Sequence, residues 1–514
     1  MSVLEHLGVG FAAALTGPRI LIMIAGVAWG VIGGAIPGIS GAVAMALALP
    51  FTFALDAETA LVMLAGVWAG ANYGGSIPAI LMRMPGTPGA AACLLDGYEL
   101  TRQGRAAKAL GVSLICGTIG GLISILVLIA LVVPLGDVVL LFGSPEVCAL
   151  AVFGLTLIAG LSGPSVLKGL ASGCFGLLLT VIGIDTLTGS LRFTFGRAEL
   201  VAGVDIISVM IGLFAVSEMF AQIARPAARA VAVMGKTHTA FPTFAELREV
   251  WRATVVGTIV GLIVGIMPGA GATASSFVAY NEAKRWSRRP DLFGKGSMEG
   301  VAAPETANNA VQGGDLVPTL ALGIPGSNSA AIMLASLILH GIVPGPYLLT
   351  RHTDLVYTLF AGLILVNLLM IPVGIVILRL CMLALRLAPP VLIASILALV
   401  VIGTYAGDLF LLNPLLALVF GVVGYAMAAY GFSPAATVLG MVLGVLVESE
   451  LRRSLIISHG SWAIFVTRPA SAVLLVLTLG VLLYPAAVHV ARLWRARRAP
   501  VPAAAGSAPT ERNP

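Results

Sequence analysis

The sequence predicts an all-α, polytopic integral membrane protein of about twelve transmembrane segments, arranged as two inverted-topology repeats with broken or re-entrant helices. Three observations carry that prediction. Hydrophobic residues make up 59% of the 514 and charged residues only 10%, at a mean hydropathy of +1.03, whereas a soluble globule normally carries about 25% charged residues. Runs at 109–135, 147–167, 355–378, 387–407 and 409–447 contain no charge at all, against roughly 20 residues needed to cross the hydrocarbon of a bilayer. Finally, proline-glycine pairs interrupt the apolar sequence at corresponding places in its two halves.

The first interruption is Ile36-Pro37-Gly38-Ile39-Ser40-Gly41, echoed by Met267-Pro268-Gly269-Ala270-Gly271-Ala272. Around it Gly30/Gly261, Ile32/Ile263, Gly34/Gly265, Pro37/Pro268 and Gly38/Gly269 coincide at one constant offset in numbering. The second runs from Ser76-Ile77-Pro78 to Met84-Pro85-Gly86-Thr87-Pro88-Gly89-Ala90-Ala91, echoed by Leu316-Val317-Pro318 to Ile324-Pro325-Gly326-Ser327-Asn328-Ser329-Ala330-Ala331. Here Pro78/Pro318, Pro85/Pro325, Gly86/Gly326, Ala90/Ala330 and Ala91/Ala331 coincide at a second, slightly larger offset. A Pro-Gly pair inside a spanning segment frees backbone groups that lipid cannot satisfy, so it persists where protein or a water-filled cavity does. Interrupted apolar segments at matching positions in two halves point to a transporter binding site.

Charge sets the expected topology. Basic clusters at Arg102, Arg105 and Lys108, at Arg225, Arg229, Lys236, Arg248 and Arg252, at 284–295, and at Arg492, Arg495, Arg497 and Arg498 are all expected on the cytoplasmic side. That accounts for the net charge of +6 without invoking nucleic acid. The loop between the two breaks is basic in the second half and holds Asp56 and Glu58 without Lys or Arg in the first, an opposite bias that predicts halves lying upside down relative to each other. Arg452 and Arg453 fit this poorly, since they fall on the outer side. The expected organisation is a first repeat at 1–236, an interfacial linker helix at 237–252, a second repeat at 253–494 and a disordered cytoplasmic tail at 495–514; the tail is Pro- and Ala-rich and too short for a core. No signal-peptide pattern is evident between Met1 and Gly17. A turn is expected at Tyr430-Gly431-Phe432-Ser433-Pro434, dividing 409–447 into two spans.

Broken helices expose N–H groups with a partial positive charge at one end and carbonyls at the other, suited to a carboxylate and to Na⁺. Pro37, Gly38, Ser40, Asn72, Ser76, Pro85, Gly86 and Thr87 form the candidate binding set of the first half. Pro268, Gly269, Thr273, Glu305, Thr306, Asn308, Asn309, Pro325, Gly326, Ser327 and Asn328 form that of the second, with Ser275 and Ser329 beside them. Taken singly, small polar residues also serve as packing and hydrogen-bonding groups between membrane helices. Glu305 and Asp315 are acids within weakly polar sequence, each able to bind Na⁺ or relay a proton, while Glu305 alternatively sits at the cytoplasmic mouth capping a helix N-terminus. Arg83 either meets an anionic substrate, snorkels to the interface or neutralises an acid.

The five cysteines are scattered in apolar segments with no C-x-x-C spacing, which supports packing rather than a disulfide framework or metal site. The six histidines are dispersed, and neither H-E-x-x-H, G-x-S-x-G nor a P-loop occurs. No catalytic, metal or cofactor set is therefore expected, only a coupling cation, Na⁺ or H⁺. The rival classes are a membrane-embedded enzyme acting on a lipid-linked substrate, which lacks an acid-base cluster here, and a passive anion channel.

Residues 30–41, 73–91 and 261–272, and above all Pro304-Glu305-Thr306-Ala307-Asn308-Asn309-Ala310 through Leu322-Gly323-Ile324-Pro325-Gly326-Ser327, resemble the large membrane subunit of the tripartite tricarboxylate transporter family. The resemblance covers the chain to about residue 490. Asp315-Leu316-Val317 departs from it, small or apolar residues being expected there. The resemblance implies a multi-pass permease of a bacterial inner membrane, working with a small four-span membrane subunit and a periplasmic solute-binding protein that delivers a carboxylate such as citrate. It also implies driving by an ion gradient, which agrees with the missing P-loop.

Overall fold

The computed structural model describes residues 2–36, 39–139, 142–161, 165–185, 188–224, 241–269, 271–345, 347–384 and 389–498, and they are almost entirely helical. The chain runs through α1 Val3–Ala14, α2 Gly17–Ala35, α3 Gly41–Ala48, α4 Ala57–Met82, α5 Leu94–Arg102, α6 Ala106–Val139, α7 Ser144–Leu161 and α8 Val166–Thr180. A two-residue antiparallel hairpin, Gly183–Ile184 with Leu191–Arg192, precedes α9 Ile206–Ile211, a π turn Gly212–Val216 and α10 Ser217–Ala224. Then come α11 Phe244–Glu249, α12 Trp251–Ile266, α13 Gly271–Trp286, α14 Glu299–Leu322, α15 Asn328–Leu339, α16 Leu348–Arg351, α17 Thr353–Ala384, α18 Pro389–Asp408, α19 Leu412–Tyr430, α20 Pro434–Ile457, α21 Ile464–Thr467 and α22 Pro469–Arg498. Among the described residues, six helical stretches are long and apolar enough to cross a membrane, and several shorter apolar helices accompany them.

The interruptions are built by local chemistry. α2 stops at Ala35, and the chain restarts at α3 with Ser40 as its cap, the hydroxyl accepting the Val43 N–H. Pro37 and Gly38 between them lie outside the described residues. α4 ends where Arg83 takes the left-handed conformation at φ +57°; Met84 N–H donates to Pro78 O, and Gly86 N–H folds back onto Gly75 O at 2.9 Å. In the other half Gly323 ends α14 at φ +72°, where a residue without Cβ is strain-free. Ile324 N–H then donates to Pro318 O, the counterpart of the bond between Met84 and Pro78. The freed backbone is thus satisfied within protein, as membrane depth requires.

Close helix packing follows the same register. A Cβ at Gly26, Gly30 or Gly34 of α2 would meet the Met63, Val67 or Ala71 carbonyl of α4 at 2.5, 2.2 and 2.3 Å. A Cβ at Gly257, Gly261 or Gly265 of α12 would meet the Ala303, Ala307 or Val311 carbonyl of α14 at 2.4, 2.7 and 2.8 Å. The glycines of the two halves are related by the first sequence offset, and their carbonyl partners by the second. Small residues at such crossings let backbones approach where lipid gives little hydrophobic drive for association. Between the halves, α3 packs against α15, and α13 against the turn at Pro88–Ala91 that leads into α5.

Several expectations are corrected here. Within 237–252 only Phe244–Glu249 forms its own helix, capped by Thr243 and Glu246, and Trp251 already opens α12; residues 237–240 lie outside the described set. α22 continues to Arg498 rather than ending before Arg495, and the remainder of the tail is outside the described residues. Glu305 does not cap a helix: it is fully buried in the second turn of α14. Arg83 is exposed over the Tyr98 ring, 5.8 Å from its centroid, as the snorkelling alternative would have it. Cys93, Cys116 and Cys148 are buried, but Cys174 is exposed. Arg452 and Arg453, awkward for the charge rule, are neutralised by acids: Arg452 pairs with Asp185 at 3.0 Å and Glu448 at 2.7 Å, and Arg453 with Glu450 at 2.9 Å.

Candidate functional site

The interruptions meet at one cavity of about 480 Å³. Ser40, Thr87, Gly271 and Ser327, the residues at which the chain turns back into helix after each of the four breaks, all line it. Ser327 caps α15, its hydroxyl accepting the Ala330 N–H at 3.3 Å. A fifth helix start joins them: Ser433 caps α20, accepts the Ala436 N–H at 3.2 Å, and lines the same space. The N-terminal ends of α3, α13, α15 and α20, with the positive ends of their macrodipoles, therefore face one volume, an arrangement suited to anions without a basic side chain.

The floor is crossed by a reciprocal amide pair. Asn72 Nδ2 donates to Asn308 O at 3.2 Å, and Asn308 Nδ2 donates to Asn72 O at 3.3 Å, joining α4 to α14. Each amide is held by the other helix's backbone, so both are fixed in orientation. Thr87 Oγ1 and Asn308 Oδ1 are buried without a hydrogen-bond partner, and a buried polar atom left unmatched costs about 1–3 kcal/mol. Here the unmatched atoms sit at the wall of a cavity. Gly89 is required beside them, because a Cβ there would lie 2.1 Å from Asn308 Oδ1.

Of the candidates read from sequence, Ser40, Asn72, Thr87, Gly269, Thr273, Asn308, Pro325, Gly326, Ser327 and Asn328 line the cavity, as do Ser329 and Asp315. Pro85, Gly86 and Pro268 shape the breaks without lining it. Ser76, Glu305, Thr306 and Asn309 lie behind the wall. There the Glu305 carboxyl, against the Ser76 hydroxyl and accepting from Ser113 Oγ at 2.8 Å, joins α14 to α4 and α6. Thr306 Oγ1 donates to Ala302 O, and Asn309 Nδ2 to Glu305 O. Ser275 is buried with no hydrogen-bond partner.

Sequence reasoning missed Trp68, Phe214, Ser217 and Glu218, together with Phe432 and Ser433. Ser433-Pro434 carries a signal, since a serine before proline at a helix start is a cap, but a turn assignment alone hides it. Glu218, an acid inside the apolar block at 206–224, is a second. Among the described residues no group of three or more His, Cys, Asp or Glu is placed to hold a metal.

Comparison with known proteins places the geometry in context. Residues 20–439 match the model of the tripartite tricarboxylate transporter TctA family. A protein of Agrobacterium vitis described as an uncharacterized 52.8 kDa protein in the TAR-I ttuC' 3' region is 36% identical over 475 residues, covering 92% of this chain and 94% of that one. A second from the same organism, described as an uncharacterized protein in the TAR-II ttuC' 3' region, is 37% identical over 208 residues, covering 40% of this chain and 86% of its own. No solved structure matches. A family match over most of the chain, many apolar helices and a cavity ringed by broken-helix ends agree: this chain belongs to the tripartite tricarboxylate transporter family, as its large integral membrane subunit.

Proposed function

We propose that this subunit imports a tricarboxylate or related carboxylate across a bacterial inner membrane, as a secondary transporter driven by a Na⁺ or proton gradient. The carboxylate is handed over by a periplasmic solute-binding protein, and a small four-span subunit completes the complex. The carrying observation is the convergence of the four interrupted helices on one cavity. Their N-termini offer the anion backbone donors and dipoles, and Asn72, Thr87, Asn308 and Ser327 offer side chains that fix its orientation. The glycine contacts repeated at matching places in α2–α4 and α12–α14 support reading the halves as repeats, and the opposite charge bias of their loops supports inverting them, with alternating access produced by one body moving against the other around the cavity.

The test is uptake of labelled citrate by cells carrying all three components. Ser327→Leu removes the α15 cap and places an apolar side chain in the cavity; uptake falls to background while the protein still inserts in the membrane. Full uptake by this variant refutes the site. Accumulation of citrate above its external concentration separates a transporter from a passive anion channel.

A further inference from the structure

Among the described residues, the cavity proposed for an anionic substrate is lined by two acids, Glu218 and Asp315, and by no Lys, Arg or His. A multiply charged carboxylate entering such a space meets like charge wherever these acids are ionised, and helix N-termini supply only about half a unit charge each. The balance closes when a cation occupies the site with the substrate.

Asp315 is placed to hold it. It is fully buried, lines the cavity, and neither carboxylate oxygen makes a hydrogen bond of normal geometry, although the Ser327 hydroxyl stands close enough to act on it as a donor. Gly326 leaves the necessary room, since a Cβ there would come within 2.8 Å of Asp315 Oδ1. The carboxylate stands against the break at 323–327, where α14 has ended and backbone carbonyls are no longer all committed to a helix. An acid buried at bilayer depth is costly unless something pairs with it.

The position breaks the internal correspondence. In the register that pairs Pro78 with Pro318, Asp315 corresponds to Gly75, and a Cβ at Gly75 would strike Thr87 Oγ1 at 2.1 Å. The first half thus has no room for a matching carboxylate, and the cavity carries one such group rather than a symmetric pair. Glu218 on α10 instead accepts a hydrogen bond from Gln222 Nε2 at 3.4 Å.

We infer that Asp315 is the ligand of a single Na⁺ bound at the end of α14, with the Ser327 hydroxyl and carbonyls of the adjacent break completing its oxygen shell. This rests on the transport reading above in assigning the ion a coupling role, but the site itself is testable without any carboxylate. The purified full-length chain in detergent is titrated with ²²Na⁺, and its melting temperature is followed in NaCl against choline chloride at constant ionic strength. Wild type binds one Na⁺ and melts at higher temperature in Na⁺; Asp315→Asn, of equal shape, loses the Na⁺-dependent rise and binds Na⁺ at least about tenfold more weakly, as expected when about 1.4 kcal/mol or more of charge interaction is removed. Ser327→Ala, which deletes one oxygen, weakens binding severalfold and carries the test if Asp315→Asn does not fold. A wild type indifferent to Na⁺, or variants with unchanged Na⁺ affinity, or a stabilisation that follows pH alone, overturns the inference. A chain that binds Na⁺ through Asp315 yet supports no uptake of citrate or of any other di- or tricarboxylate tested with its partner subunits overturns the transport reading instead.

Discussion

Asp96 accepts four hydrogen bonds and has no basic partner among the described residues. It is fully buried on α5. Its Oδ1 accepts from the backbone N–H groups of Gly294, Gly296 and Ser297 at 2.9, 2.8 and 2.8 Å, and its Oδ2 accepts the Tyr280 hydroxyl at 2.8 Å. One side chain of the first half thereby fixes the basic loop between the breaks of the second. Asp96→Ala strips all four bonds. Ser297 N–H is left buried and unmatched at about 1–3 kcal/mol, while Gly294 and Gly296 are partly reached by water and lose less. The total expected is roughly 3–5 kcal/mol, a large fraction of a typical folding free energy. Asp96→Asn keeps an acceptor for the N–H groups and an N–H for Tyr280, forfeiting only charge assistance, at roughly 1–2 kcal/mol. Thermal unfolding in detergent reads the first effect. Limited trypsin digestion reads the second, since Arg288 and Lys295 lie in or beside the loop that Asp96 holds. Cleavage there becomes rapid in Asp96→Ala and stays slow in Asp96→Asn. An Asp96→Ala protein that melts and resists trypsin like wild type would refute the assignment of Asp96 as the anchor of that loop.

Two further outcomes follow from packing and from charge. Gly30→Ala places a methyl 2.2 Å from Val67 O, and Gly261→Ala one 2.7 Å from Ala307 O, so both lower the melting temperature, at about 1–3 kcal/mol for overpacking, with Gly30→Ala the worse. Gly8→Ala in α1, with nothing within 4 Å, does not lower it; equal losses at all three positions would count against the close-crossing argument. Glu246, outside the spans, is held down to a pKa of about 2 by the Lys108 ammonium at 2.5 Å and by the Thr243 N–H. Because the folded value is depressed, its stabilisation is complete above the ordinary value of 4.5 and fades as pH falls toward 2. The melting difference between wild type and Glu246→Gln, measured at low salt so that screening does not mask it, therefore shrinks between about pH 5 and pH 2. A difference that stays constant across that range sinks the pairing.

Much of this molecule is legible in its residues alone. Composition forces a membrane protein, since so few charges cannot clothe a soluble surface. Adjacent proline and glycine announce the interruptions locally, because a residue without an N–H beside one without a Cβ is poorly held in a helix, whereas single residues such as Pro318 and Gly261 stay within theirs. The two constant offsets between the halves also predict that matching contacts recur, as they do from Gly30 on Val67 to Gly261 on Ala307. What only the tertiary structure decided is which polar residues face the same space. Glu305 and Asp315 look alike in sequence, yet one braces α14 against α4 and α6 while the other faces the cavity, because a side chain's partner is set by whichever neighbouring helix its turn of α14 meets. Glu218, Phe432 and Ser433 came to the site from segments without a Pro-Gly break between apolar strings, brought there by the packing of α9, α10, α19 and α20. A local rule can say where a helix ends; which ends meet depends on packing between segments far apart in the chain.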